Sequence, residues 1–196
     1  MRTVSRLFDS YELARQAVTE LKDAGIPESE ISIVANNVDS SHDRDGDGVD
    51  DDGSGAGAGA GVGATLGGAA GLLTGLGMLA IPGVGPVVAA GWLATTALGA
   101  LAGGAAGGVI GALTDAGVDE EDAHVYAEGV RRGGTLVTVR ADEDTASRAD
   151  AILDRSGVAA SVRRDAYKEG GWSTFDEARA PLTKEEIEAE RNRYSI

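Results

Sequence analysis

Three aspartates at alternate positions, Asp43, Asp45 and Asp47, precede Gly48 and could ligate a hard cation. Oxygen donors spaced this way wrap one ion, and the glycine permits the sharp turn of a calcium loop. Val49 would add its carbonyl, and Asp51 a direct or water-mediated contact. The twelfth position is Ser54, where the full motif uses a bidentate glutamate, so the stretch reads as a solvated acidic spacer, with weak Ca2+ binding as the alternative. His42 lies in that stretch and His124 beside Asp122 and Val125, and neither spacing suggests a metal pair or a nucleophile with its base. Strings resembling G-x-G-x-x-G lack both a following Lys-Ser/Thr and a preceding strand. Glu120, Glu121, Asp122 and Glu128 suit a helix start better than an acid-base pair. No catalytic residue, cofactor or small-molecule substrate is expected.

Composition narrows the partners further. The net charge is -15, which excludes phosphate-backbone recognition of nucleic acid and docking on anionic lipid through a basic patch. The absence of cysteine excludes disulfides and thiolate metal sites. The start, Met1 to Arg6, lacks the apolar core of a signal peptide, so a cytoplasmic N-terminus is expected.

Glycine provides the most specific pattern. Gly55, Gly59, Gly63, Gly67, Gly71 and Gly75 recur every fourth residue, and Gly91, Gly99, Gly103, Gly107 and Gly111 repeat the spacing with Thr95 in the gap. Positions i and i+4 share one helix face, so each run would form a stripe on which two helix backbones approach closely. Each interior glycine costs a helix about 1 kcal/mol relative to alanine, so such helices need close packing or a low-dielectric surround. Residues 53–114 carry no charged side chain and divide at Pro82-Gly83-Val84-Gly85-Pro86. The spacing predicts an antiparallel helical hairpin over 53–114, with Trp92 either an interfacial anchor or packed within the hairpin. Leu66, Leu72, Leu73, Leu76, Met78, Leu79, Val88, Leu93, Leu98, Leu101, Val109, Ile110 and Leu113 lie off the stripes and would need lipid or other copies to cover them. Membrane embedding and homo-oligomerisation are therefore expected.

The flanks must position this block. Residues 1–38 read as strand, helix, strand, with Asp9 and Glu12 opening the helix and Leu13, Ala14, Ala17, Val18 and Leu21 forming its apolar face. Residues 39–52 are the acidic loop. Residues 115–165 read as helix, strand, helix, strand, with Asp119 and Asp142 as caps and Val158, Ala160 and Val162 alternating in a last strand. The two β-α-β halves predict an α+β fold, a ferredoxin-like four-stranded sheet split by the inserted hairpin. Residues 166–196 read as a tail, with Thr183 to Glu186 opening a short charged helix that stays exposed or packs weakly.

Several of these segments resemble one family. The opening strand-helix-strand, the Asp43-Arg-Asp-Gly-Asp-Gly48 loop, the stretch Leu79-Ala-Ile-Pro-Gly-Val-Gly-Pro-Val-Val-Ala-Ala-Gly-Trp92 and the stretch Ala123-His-Val-Tyr-Ala-Glu-Gly-Val-Arg-Arg-Gly-Gly-Thr-Leu-Val137 look like bacterial proteins of the general stress protein 17M-like domain family. The resemblance covers residues 1–165 and implies stress association and a ferredoxin-like frame, with no catalytic residues to carry over. The expected protein is thus a non-enzymatic stress-associated one whose hairpin mediates membrane association, self-association or both. It would sit at the cytoplasmic membrane with its α/β domain in the cytoplasm, or wholly in the cytoplasm. The alternative is a divalent-cation-responsive sensor built on the Asp-rich loop.

Overall fold

The first strand, β1 (Arg2–Phe8), pairs antiparallel with β5 (Thr135–Ala141), from Arg2 opposite Ala141 to Phe8 opposite Thr135. β5 pairs with β2 (Ile31–Asn36), β2 with β4 (Gly85–Gly91) and β4 with β3 (Gly77–Ile81), every pair antiparallel. The order across the sheet is β1-β5-β2-β4-β3. The computed structural model that shows this describes residues 1–38, 77–96 and 108–194.

Every residue of β2 is buried. A strand with one solvated face would alternate, but both faces of this sheet are covered. On one face α1 (Tyr11–Asp23) and α4 (Glu143–Leu153) pack on Val4, Phe8, Ile31, Ile33, Val137 and Val139. On the other, α2 (Gly108–Asp115), α3 (Glu120–Arg131) and α5 (Ala160–Glu169) pack on Leu7, Val34, Val87 and Leu136. The apolar face of α1 is as expected at Ala14, Ala17, Val18 and Leu21, while Leu13 is partly exposed. The cap of α1 is Ser10, which accepts from the Leu13 amide at 3.3 Å, and Asp9 is turned to another task. Asp119 and Asp142 cap α3 and α4 as expected, each accepting a backbone N–H at 2.9 Å.

Three sequence expectations need correction. First, residues 77–91 form a β-hairpin. Val84 N–H donates to the Ile81 carbonyl at 3.1 Å across Pro82-Gly83, and Gly83 has φ +74°. Proline followed by a residue at positive φ is the signature of a type II turn, which here joins two strands of the sheet. Of the residues that were to meet lipid, Val88, Leu93, Val109 and Leu113 are buried and Ile110 is partly buried against the core, whereas Met78 is 67% exposed. Leu66, Leu72, Leu73, Leu76, Leu98 and Leu101 lie outside the described residues, and Trp92 lies in the core under the Arg140 guanidinium, 4.3 Å from its ring centroid. Among the described residues no helix is long and apolar enough to cross a membrane. The transmembrane hairpin, the membrane partner and the membrane location are therefore not upheld. The arms over 53–76 and 97–107 lie outside the described residues.

Second, the last strand shrinks to one bridge. Leu7 and Val158 exchange both backbone hydrogen bonds, at 3.0 and 2.7 Å, beside β1. The chain then enters α5, because Ala160, Arg163 and Tyr167 recur at helical spacing and are all buried, leaving Val162 in solvent.

Third, the tail is a strap seated on the frame. Trp172, Phe175 and Ile187 are buried, and the capping box of α6 (Lys184–Tyr194) forms as expected between Thr183 and Glu186. The strap crosses the β3–β4 turn so closely that a Cβ on Gly83 would lie 2.8 Å from Glu177 Cα and 3.0 Å from the Asp176 carbonyl oxygen. Gly83→Val is expected to cost about 2–4 kcal/mol, from left-handed backbone strain plus overpacking. Limited proteolysis between Trp172 and Thr183 should accelerate in this variant; cleavage at the parent rate would mean that the strap does not rest on the turn.

Candidate functional site

The expected metal residues Asp43, Asp45, Asp47, Val49 and Asp51 lie outside the described residues, as do His42 and Gly55, Gly59, Gly63, Gly67, Gly71, Gly75, Gly99, Gly103 and Gly107. Among the described residues no group of three or more His, Cys, Asp or Glu could hold a metal ion. Of the glycines expected in helix packing, Gly91 instead ends β4 at φ +87° and Gly111 sits in α2, where a Cβ would meet nothing within 4 Å among the described residues. His124 is half-buried on α3, with Nδ1 3.3 Å from Thr174 Oγ1.

What the structure does bring together is charge, at the end of the sheet where β1 finishes and β5 begins. Four elements converge there: the β1–α1 junction, the last turn of α3, the middle of α5 and the strap helix α6. Glu128, 1% exposed, receives Arg132 Nε at 2.7 Å and Arg131 Nη1 at 3.4 Å. Arg132 also reaches Glu190 of the strap through Nη1 at 2.5 Å and lies 4.3 Å above the Tyr167 ring. Burial works against the Arg132 charge, but Glu128 and Glu190 outweigh it and raise its pKa. Arg163, 3% exposed on α5, pairs with Asp9. Arg191 donates through Nε and Nη2 to the Gly133 carbonyl at 3.2 and 2.9 Å, and Arg131 Nη2 donates to the Ala180 carbonyl at 3.2 Å.

The double glycine after α3 makes this docking possible. Gly133 has φ +91°, and a Cβ there would sit 2.3 Å from Ile187 Cγ2. The string Arg131-Arg132-Gly133-Gly134 is thus a seat for the strap as well as a helix end. Sequence reasoning missed the cluster because its members are scattered from Asp9 to Arg191 and each looks like a solvated surface charge. The only local signal is arginine at buried helical positions, which hydrophobic periodicity does not register.

Two buried tyrosines in the core on this face of the sheet make its burial measurable. Tyr126 donates its hydroxyl to the Ser5 carbonyl at 2.7 Å, and burial pushes its pKa up to about 12. Tyr167 packs edge-on against Trp172, and burial likewise pushes it up to about 12. A phenol whose folded-state pKa lies above its unfolded value of about 10 stabilises the fold fully below pH 10 and loses that contribution as pH rises through 12. Stability measured by urea unfolding should therefore fall between about pH 10 and 12, and less steeply in the Tyr126→Phe and Tyr167→Phe variants. An unchanged slope in both variants would contradict the burial.

Residues 3–83 match the family model of the heat induced stress protein YflT domain. This stretch of the chain is similar to the YflT stress-protein domain. Kinship with a general stress protein family is thus borne out over that stretch. The matched stretch takes in β1, α1, β2 and β3 and ends inside the Pro82-Gly83 turn, so Asp9 falls within it while the arginines of the junction and the strap lie beyond it. Comparison with curated proteins and with solved structures gives no match.

Proposed function

We propose that this is a non-enzymatic, stress-associated protein that acts by self-association, with the sheet serving as a mount for its glycine-rich segments. The YflT match supports the stress role. The observation that carries the mechanism is how those segments are tethered. The segment after β2 departs near Asn36, opposite Val87 of β4, and rejoins the sheet at Gly77, two strands away and opposite Ala89 of β4. The segment after residue 96 rejoins at Gly108 in α2. A segment fixed at both ends loses less conformational freedom when it packs against another copy than a free tail does. The every-fourth glycine spacing then provides the contact stripe. We further infer that β1-α1-β2 and β5-α4-Val158 are the two halves of a ferredoxin-like frame, extended beyond β2 by the β3–β4 hairpin. β5 lies between β1 and β2, and Val158 bridges the outer side of β1, which supports this assignment.

Analytical ultracentrifugation of the full chain tests the mechanism. The parent should sediment as an oligomer, and replacing Gly59, Gly63 and Gly67 by leucine should shift it toward monomer with unchanged far-UV circular dichroism. A parent that stays monomeric over a wide concentration range ends this proposal. The D-x-D-x-D-G spacing carries a second one, a weak calcium contact made by Asp43, Asp45, Asp47, the Val49 carbonyl and Asp51. Calorimetry without heat at roughly millimolar calcium, the weak end of the range for such loops, would remove it.

A further inference from the structure

β3 is one edge of the sheet, and among the described residues nothing pairs with its outer side. The opposite edge is guarded: Val158 bridges Leu7 of β1, and β1 carries Arg2 and Arg6. β3 has no such guard. It reads Gly-Met-Leu-Ala-Ile, without charge or proline, and Met78 and Ala80, which share one face, are both exposed, Met78 to 67%. An uncharged edge strand of this kind is a template for one more strand. Pro86 shows which of its backbone groups are open. It stands opposite Ala80 but has no N–H, and its carbonyl accepts from the Asn37 amide at 2.9 Å on the β2 side. Bonded and non-bonded pairs alternate along an antiparallel ladder, so Gly77, Leu79 and Ile81 bond to β4 while Met78 and Ala80 turn their N–H and C=O groups outward.

We propose that this edge pairs antiparallel with the same edge of a second copy, about a two-fold axis at Leu79, and joins the two sheets into one. The strand is self-complementary in that register. Its outward groups lie symmetrically on either side of Leu79, so Met78 meets the second copy's Ala80 and the two exchange both backbone hydrogen bonds, as do their symmetry mates. A long side chain then lies beside a methyl group on each side of the axis. Residues 53–114 carry no charge, so the pairing sets no like charges opposite each other, although the chain as a whole carries -15. One short strand buries less than the roughly 1,200 Å² of a stable complex, so the dimer is transient and concentration-dependent. This contact is separate from the glycine stripes, and either holds without the other.

Amide hydrogen exchange and sedimentation velocity of the full chain over a concentration series test the contact. The Met78 and Ala80 amides should exchange fast in dilute solution and slow down as the dimer fills, while the Leu79 amide stays protected throughout. Ala80→Pro deletes an outward N–H that makes no bond within the sheet, so the fold should survive. Association through the edge should weaken about thirtyfold, the scale of the two hydrogen bonds lost per dimer. Met78→Lys should weaken it as well by charging the edge, and decides alone if the proline variant unfolds. Val162→Lys changes an exposed apolar residue of α5 and should match the parent. With Gly59, Gly63 and Gly67 replaced by leucine, the concentration-dependent protection of Met78 and Ala80 should persist; its loss would return association to the stripes and overturn the edge contact. Protection of these amides that does not change with concentration overturns it too, as does parental association in both edge variants or an equal loss in Val162→Lys.

Discussion

Gly91→Ala is expected to destabilise the fold by about 3–5 kcal/mol, from two costs that add. The first is conformational: Gly91 has φ +87°, in the left-handed region that an L side chain occupies at about 1–2 kcal/mol. The second is steric. An added Cβ would lie 2.2 Å from the Ile31 carbonyl oxygen and 2.8 Å from Ser32 Cα, both backbone atoms of the neighbouring strand. Relief would require β4 to separate from β2 where Gly91 faces Ser32. Separation would also strain the Ser32 hydroxyl, which donates to the Ala90 carbonyl at 2.8 Å and accepts from the Leu93 amide at 3.3 Å. Gly111→Ala should instead be neutral or stabilise by up to about 1 kcal/mol, since Gly111 is helical and its Cβ position is open among the described residues. Chemical denaturation of the pair separates two origins for the every-fourth spacing. If both glycines lay in helix-packing stripes, both substitutions would be damaging.

Glu128→Ala should cost about 3–5 kcal/mol, the usual penalty for stripping the partner from a buried charge. Glu128 is the carboxylate that Arg131 and Arg132 share, and the Arg131 side chain is only 6% exposed. Without it Arg132 keeps Glu190, but Arg131 keeps only its hydrogen bond to the Ala180 carbonyl. The loss therefore falls on the strap, and protease sensitivity of residues 172–194 should rise together with the fall in stability. Glu12→Ala is the comparison. Its pair with Arg15 is exposed at 3.2 Å and should contribute no more than about 0.5 kcal/mol. Equal effects of the two substitutions would remove the buried junction as an energetic feature.

How much of this could be seen in the sequence depended on whether side chains carried a period. The opening β1-α1-β2 unit was legible because Ala14, Ala17, Val18 and Leu21 repeat at helical spacing between runs of β-branched and aromatic residues. Only the cap slipped by one residue, from Asp9 to Ser10, because Asp9 is drawn to Arg163. The stretch 77–91 was misread because its glycines and alanines carry little period of their own. Gly91 fits an i+4 series, yet its φ is incompatible with a helix interior. The last strand was misread because Val158, Ala160 and Val162 alternate, whereas the burial that decides the local structure includes an arginine. The strap stayed invisible because Trp172, Phe175 and Ile187 are isolated among polar residues, and only the tertiary fold shows that Phe175 lands at Gly83 and Ile187 at Gly133. The candidate site followed the same rule, since a buried ion-pair layer looks like surface charge until its partners are brought together.

The decisive measurement is an NMR assignment of the full chain, with backbone chemical shifts over 77–91 and cross-strand NOEs. Strand-type shifts, NOEs linking Met78 with Val88 and Val88 with Ala35, and a contact between Phe175 and Gly83 would establish the extended sheet with its seated strap. Helical shifts from 77 to 91, or a segment 172–194 without contacts to the frame, would contradict it.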